Sequence, residues 1–143
     1  MVDMRITRVF DAPRDLVFET WTKPEYMAGW YGPVGLTTPL STISMDVRPG
    51  GTWRATMIKD DDGTEYPQGG TYHEVVAPQR LVFTWGEPDD PNRQALVTVT
   101  LTECGGKTTM NFQLTGLPDD LRDSVYEGWT SAFDSLATYV EPK

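Results

Sequence analysis

Cysteine and histidine are almost missing from this chain: Cys104 and His73 are the only ones of their kind in 143 residues. One of each cannot build an ordinary zinc site, and a single cysteine cannot close an internal disulfide. Cys104 lies in a Gly-rich turn with no histidine near it in sequence, so it reads as an unactivated thiol. Cations are scarce as well. With 12 Lys and Arg against 21 Asp and Glu, the formal net charge is −9, and no basic cluster exists to meet the phosphates of a nucleic acid. No apolar run approaches the roughly 18 residues of a membrane span, and Met1-Val2-Asp3-Met4-Arg5 opens without the apolar core of a signal peptide. A cytoplasmic protein with no membrane and no nucleic-acid partner is the expectation, and the lone thiol agrees with a reducing compartment. The glycine patterns of dinucleotide and P-loop sites and the Gly-x-Ser-x-Gly of a nucleophile elbow are missing too. Asp60-Asp61-Asp62-Gly63 is no calcium loop: with Gly63 at the sixth position, Ile58 stands where the first carboxylate is needed. No metal and no cofactor is expected.

What the chain does have is periodicity, over a length that fits one domain, residues 1–143. Met4 to Phe10 has strand composition. Asp11-Ala12-Pro13 then starts a short helix, with Asp11 or Ala12 as its cap, Pro13 in its first turn and Val17, Phe18 and Trp21 on its apolar side. Pro24 restarts a second helix carrying Tyr26, Met27 and Trp30, ended by Gly32-Pro33. From there to about Thr115 the period is two. Ile43, Met45 and Val47, then Trp53, Ala55 and Met57, then Leu81, Phe83 and Trp85, then Val97, Val99 and Leu101, and finally Met110, Phe112 and Leu114 alternate with polar neighbours. Short connectors join them as antiparallel neighbours, among them Pro49-Gly50-Gly51, Ala77-Pro78-Gln79, the stretch from Glu87 to Arg93, and Cys104-Gly105-Gly106-Lys107.

The period changes once more at the end. Leu121, Val125, Trp129, Phe133, Leu136 and Val140 recur at steps of four or three, which predicts a long helix from Leu117 to Glu141 with Asp119 and Asp120 in its first turn and Pro142 beyond it. A helix about 10 Å wide cannot cover six or seven strands spaced roughly 4.8 Å apart. An α+β domain follows, in which one antiparallel sheet curls round the C-terminal helix. The space between them is either plugged by bulky side chains or left as a pocket. Gly128 and Ala132, one turn apart, bare a patch of the helix, although a mid-helix glycine costs about 1 kcal/mol relative to alanine.

Several words of the sequence carry a family likeness: Asp11-Ala12-Pro13 with Val17-Phe18 and Trp21, Trp30-Tyr31-Gly32-Pro33, Asp46-Val47-Arg48-Pro49-Gly50-Gly51-Thr52-Trp53, Gly70-Thr71-Tyr72-His73-Glu74, Pro78-Gln79-Arg80-Leu81-Val82-Phe83-Thr84-Trp85 and Glu127-Gly128-Trp129. Together they resemble the activator of heat-shock-protein (Hsp90) ATPase homologue (Aha1-like) family of the START-like, SRPBCC superfamily. The resemblance implies the helix-grip fold of the birch-pollen allergen. It also implies a cavity between sheet and long helix that takes lipids, sterols, polyketides or other apolar molecules, with chemistry in a minority of members. The namesake co-chaperone carries a further N-terminal domain, for which this chain has no room, so a chaperone partner is implied by the family name alone.

Candidate ligand-binding residues are Trp30, Tyr31, Trp53, Tyr72, Phe83, Trp85, Trp129 and Phe133, together with Gly128 and Glu74. The rings supply contact area for an apolar ligand, or else plain core. Glu74 shares strand parity with Tyr72, so it enters the cavity if that face is concave; otherwise it pairs with a surface Arg. His73 then faces the other way, and only one of the two can point inward. Glu74, Tyr72 and Tyr31 are the candidates for an acid or base in a cyclase or hydratase. Asp46 and Arg48 read as structural, with a cross-strand partner in Arg54, and Glu127 as solvated. Binding of a small apolar or amphipathic molecule leads; an enzyme and a co-chaperone-type interaction module are the alternatives, and a homodimer through the sheet or helices is compatible with all three.

Overall fold

A computed structural model describes residues 3–88, 90, 92 and 94–141. Pro142, the expected stop after the last helix, and Asp89, Pro91 and Arg93 of the long connector lie outside the described residues.

Strand β1 (Met4–Phe10) is followed by helices α1 (Arg14–Thr22) and α2 (Pro24–Met27). Two two-residue strands, β2 (Leu36–Thr37) and β3 (Ser44–Met45), precede the long strands β4 (Thr52–Lys59), β5 (Glu65–Val76), β6 (Arg80–Gly86), β7 (Gln94–Cys104) and β8 (Lys107–Thr115). Helix α3 (Arg122–Val140) closes the chain. All ladders are antiparallel, in the order β1-β8-β7-β6-β5-β4-β2 with β3 also on β4. The curled antiparallel sheet and long C-terminal helix of the helix-grip fold are therefore present. Alternation builds it: Trp53, Ala55 and Met57 on β4, Val97, Val99 and Leu101 on β7, and Met110, Phe112 and Leu114 on β8 are buried on the concave face. The β7–β8 turn is the two-residue Gly105-Gly106, whose φ values of 60° and 80° suit the twist of a tight hairpin. At Gly70 of β5 a Cβ would lie 1.9 Å from the carbonyl oxygen of Thr84, so only glycine fits. That same oxygen accepts the indole N–H of Trp53 at 3.0 Å.

Five details differ from the sequence expectations. Helix α2 ends at Met27, so Trp30 lies in the turn that follows and Gly32-Pro33 comes after the helix has already stopped. Pro13, not Asp11 or Ala12, occupies the cap position of α1, and no side chain caps that helix. The alternation of Ile43, Met45 and Val47 yields a strand of two residues only, since the chain turns away through Arg48 to Gly51. The last helix begins at Arg122 rather than Leu117, because Pro118 starts a tighter 3-10 turn over Asp119–Leu121; Asp119 and Asp120 sit in that turn. A bulge between Tyr72 and Glu74 shifts the β5–β6 register and breaks the parity that was to bring Glu74 inward.

The concave face is filled rather than hollow. Trp21 of α1, 2% exposed, stands 4.8 Å ring to ring from Trp30, 5.9 Å from Phe83, 6.0 Å from Trp129 and 6.1 Å from Phe133. Beneath it, the space bounded by Met27, Trp53, Tyr72 and Leu81 amounts to about 10 Å³, too small for more than one water. Trp21→Ala should therefore cost about 3–5 kcal/mol, the range for emptying a packed ring site. Urea denaturation checks it: the midpoint should fall with the slope little changed.

Candidate functional site

The open space lies at one end of the sheet–helix interface. Ser124, Val125, Gly128, Trp129 and Ala132 follow one another along a stripe of α3 and form one wall of a recess of about 200 Å³. Met57 of β4, Gln68 of β5, Trp85 of β6 and the Tyr31-Gly32-Pro33 segment form the rest. Farther along α3, Phe133, Leu136 and Val140 are buried in the core, and Asp134 pairs with Arg8 of β1 at 2.9 Å. The helix is thus gripped by its C-terminal half and stands off the sheet at its N-terminal half. A Cβ added at Gly128 meets no atom within 4 Å. The glycine wall is open space.

Two further hollows adjoin the recess, one of about 490 Å³ sharing Gln68, Trp85 and Val125, the other of about 300 Å³ sharing Gln68 and Met57. The three meet at Gln68. Exposed Val34, Tyr66 and Leu121 belong to the walls of these outer hollows.

The polar content of the recess is small and ordered. Trp85 donates its indole N–H to Tyr31 Oη at 2.8 Å and to Gln68 Oε1 at 3.0 Å, and the Tyr31 hydroxyl donates to Gln68 Oε1. Burial holds the Tyr31 phenol well above the ordinary tyrosine range, with the Trp85 hydrogen bond opposing it, so the group stays protonated. Tyr72 is raised in the same direction by burial first and then by the Asp46 carboxylate. No Asp, Glu, His, Lys or Arg appears among the described residues that line the recess. Nor do three His, Cys, Asp or Glu side chains cluster to hold a metal anywhere among the described residues.

The proposed site residues divide accordingly. Tyr31, Trp85, Gly128 and Trp129 stand on the recess wall. Trp30, Trp53, Tyr72, Phe83 and Phe133 are buried in the aromatic packing instead; Trp30 donates to the Thr20 carbonyl at 2.8 Å, and Tyr72 rests 6.2 Å from Phe83. Glu74 is exposed and pairs with Arg80 at 3.4 Å, so its inward placement is corrected to the surface pairing that was the other alternative. His73 is exposed too, and neither of the two points inward. Arg48 bonds Asp46 at 2.8 Å on the surface, Glu127 faces solvent, and Cys104 is an exposed thiol. Gln68 and Ser124 carry no signal in the sequence, and Met57 and Val125 stand out there only as positions on apolar faces, not as site residues. Gln68 follows Pro67, a residue that argues against a strand; it is tolerated because residues 65–68 pair with β4 on one side while the β6 ladder reaches only to Gly69.

Residues 11–141 match the family described as Activator of Hsp90 ATPase homolog 1-like protein. Among solved structures, a protein from Chromobacterium violaceum is similar over 98% of this chain and 98% of its own, at 26% identity and a TM-score of 0.87. The AHSA1 protein from Silicibacter pomeroyi is 29% identical over 94% of each chain, with a TM-score of 0.81. An Arthrobacter aurescens protein solved in solution shares the fold at 22% identity, over 95% of this chain and 84% of its own, with a TM-score of 0.82. No curated protein matches the sequence. Among the described residues no helix is long and apolar enough to cross a membrane.

The two buried tyrosines give the fold an alkaline limit. Both phenols are raised in the folded state, so the folded chain retains protons that the unfolded chain releases above about pH 10. Their contribution is fully present below that pH and is lost as pH climbs toward the raised values, at a slope of up to about 1.4 kcal/mol per pH unit for each group. Denaturant midpoints measured between pH 9 and 11 should fall with pH, and Tyr31→Phe should flatten the fall.

Proposed function

We propose that this chain, which belongs to the activator of Hsp90 ATPase homolog 1-like family, binds a small apolar or amphipathic molecule in the recess between the N-terminal half of α3 and the ends of β4 to β6. The observation that carries this reading is Gly128. A glycine in the middle of a helix costs about 1 kcal/mol relative to alanine, and here an alanine methyl would touch nothing. Neither a close-packed neighbour nor an unusual backbone angle asks for glycine at this position; the volume it leaves does. The recess around it is walled by Trp85, Trp129, Met57, Val125 and Ala132, the apolar lining with a few fixed polar groups that small-molecule sites share. At about 200 Å³ it suits one ring, since a dry cavity of about 150 Å³ accepts benzene. A larger ligand would extend its remainder into the outer hollows.

An enzymatic role finds less support. With Glu74 outside, Tyr31 is the only ionisable side chain on the described recess wall, and its proton is committed to Gln68. A group held protonated by burial is a poor base. The co-chaperone reading would use an apolar surface open to a partner; the exposed Val34, Tyr66 and Leu121 are accounted for as the mouth of the cleft.

Ethylbenzene is a suitable first probe, followed by the indole N–H signals of Trp85 and Trp129 in two-dimensional NMR. Gly128→Ala should raise stability by about 1 kcal/mol, seen as a higher thermal midpoint. Gly128→Leu should remain folded and weaken ethylbenzene binding by about tenfold or more, roughly 1.4 kcal/mol. If the probe shifts no signal of the cleft, or binds the leucine variant equally well, the recess is not a ligand site.

A further inference from the structure

We infer that Gln68 makes the recess selective for a ring bearing an uncharged carbonyl group, whose oxygen accepts a hydrogen bond from the Gln68 side-chain amide. This rests on the reading of the recess as a ligand site and adds the chemistry that site would select. An indole N–H can only donate, and the N–H of Trp85 reaches both Tyr31 Oη and Gln68 Oε1. Turned the other way, the amide would set its NH2 against that N–H, donor against donor. Trp85 therefore fixes which end of Gln68 faces inward.

Once the orientation is fixed, the remaining valences can be counted. Gln68 Oε1 takes two donors, from Trp85 and from the Tyr31 hydroxyl, which fills both its lone pairs. The Tyr31 proton is spent on that bond, and the Ser124 hydroxyl on the rim donates to the Leu121 carbonyl at 3.1 Å. The Gln68 amide nitrogen, held on the opposite side of the planar group, bonds no described residue. It is also not among the polar atoms shut away from solvent, and the residue lines all three hollows, so the amide nitrogen is accessible where they meet. Trp129 Nε1, buried without an acceptor, is shut away from that space and offers a ligand nothing. The donor left over beside the apolar ring-sized space is therefore the Gln68 amide, and what it calls for is an acceptor. A carboxylate would supply one, but the described wall of the recess itself holds no cation to offset a buried negative charge, and the adjoining hollows set Glu65 and Glu87 against Lys59. An uncharged ketone, ester or amide carbonyl satisfies the donors without that penalty.

Acetophenone and ethylbenzene have nearly the same shape and differ in the carbonyl, so their affinity ratio isolates the polar contact from ring burial. Both should be titrated by NMR into the unaltered protein, Gln68→Met and Gln68→Glu, with benzoate as a third ligand. The methionine variant keeps the side-chain length and removes the amide. The glutamate variant keeps an oxygen toward Trp85 and Tyr31 but replaces the free NH2 by an acceptor. Each variant should shift the acetophenone-to-ethylbenzene ratio at least tenfold against acetophenone while ethylbenzene affinity stays within about threefold, and benzoate should bind the unaltered protein more weakly than acetophenone. An unchanged ratio in both variants, with both ligands still bound, overturns the role of Gln68 and leaves the recess as a nonselective apolar site. Benzoate binding more tightly than acetophenone overturns the preference for an uncharged group. Failure of all three ligands to bind the unaltered protein overturns the ligand-site reading itself.

Discussion

The concave face of a curled sheet must be filled, and here it is filled by an aromatic stack whose central member comes from neither the sheet nor the long helix. Trp21 arrives on α1 and inserts among Trp30, Phe83, Trp129 and Phe133, with Phe112 of β8 stacked 6.4 Å away. Rings of this size bury large areas with few rotatable bonds, so this insertion fills the centre of the space between helix and sheet and leaves about 10 Å³ beside it. What remains is displaced to the end where α3 leaves the sheet. The position of the recess follows from the position of this plug.

The same packing explains why Trp129 serves two purposes. One neighbour set, Trp21, Phe112 and Phe133 at 6.0, 4.7 and 5.6 Å, belongs to the core; the other, Trp85 at 5.4 Å and Tyr31 at 5.9 Å, belongs to the recess wall. A truncation there removes core contacts and wall together and cannot separate folding from binding. Gly128 and Gln68, at the edge of the packing, can be changed with less disturbance to the stack.

The architecture was largely legible in the residues. Period-two alternation located β4, β6, β7 and β8, the 3.6-residue stripe located α3, and the motifs from Asp11-Ala12-Pro13 to Glu127-Gly128-Trp129 pointed to the family. The site was less so. Eight rings were equivalent as sequence; which of them plug and which line a wall depends on where Trp21 comes to rest, a contact between residues far apart in the chain. The alternating pattern leaves Glu74 between the cavity and a surface arginine, because the bulge that decides for the arginine has no signature in it. Gln68 is hard to find in the sequence because Pro67, Gly69 and Gly70 give the first half of β5 the composition of a loop. Each of the three has a tertiary reason: Pro67 lies beyond the β6 ladder, Gly69 would bring a Cβ within 2.6 Å of the Trp53 carbonyl oxygen, and Gly70 admits the Thr84 carbonyl.

Helix α3 shows how one element can be both anchor and wall. Its 19 residues bury Phe133, Leu136 and Val140 in the core, whereas its first two turns carry exposed Asp123, Ser124, Tyr126 and Glu127 around a stripe that faces open space. The entry is tied down from outside the recess: Asp3 accepts from the Gly116 and Leu117 backbone N–H groups at 2.7 and 3.0 Å and from Arg122 at 3.2 Å. Those backbone hydrogen bonds, reinforced by the Arg122 charge, hold the Asp3 carboxyl below its usual range. A helix fixed at both ends can leave its intervening face uncovered without collapsing onto the sheet. The glycine in that face therefore costs helix propensity but not position, and the recess keeps its shape because the contacts that define it are made elsewhere.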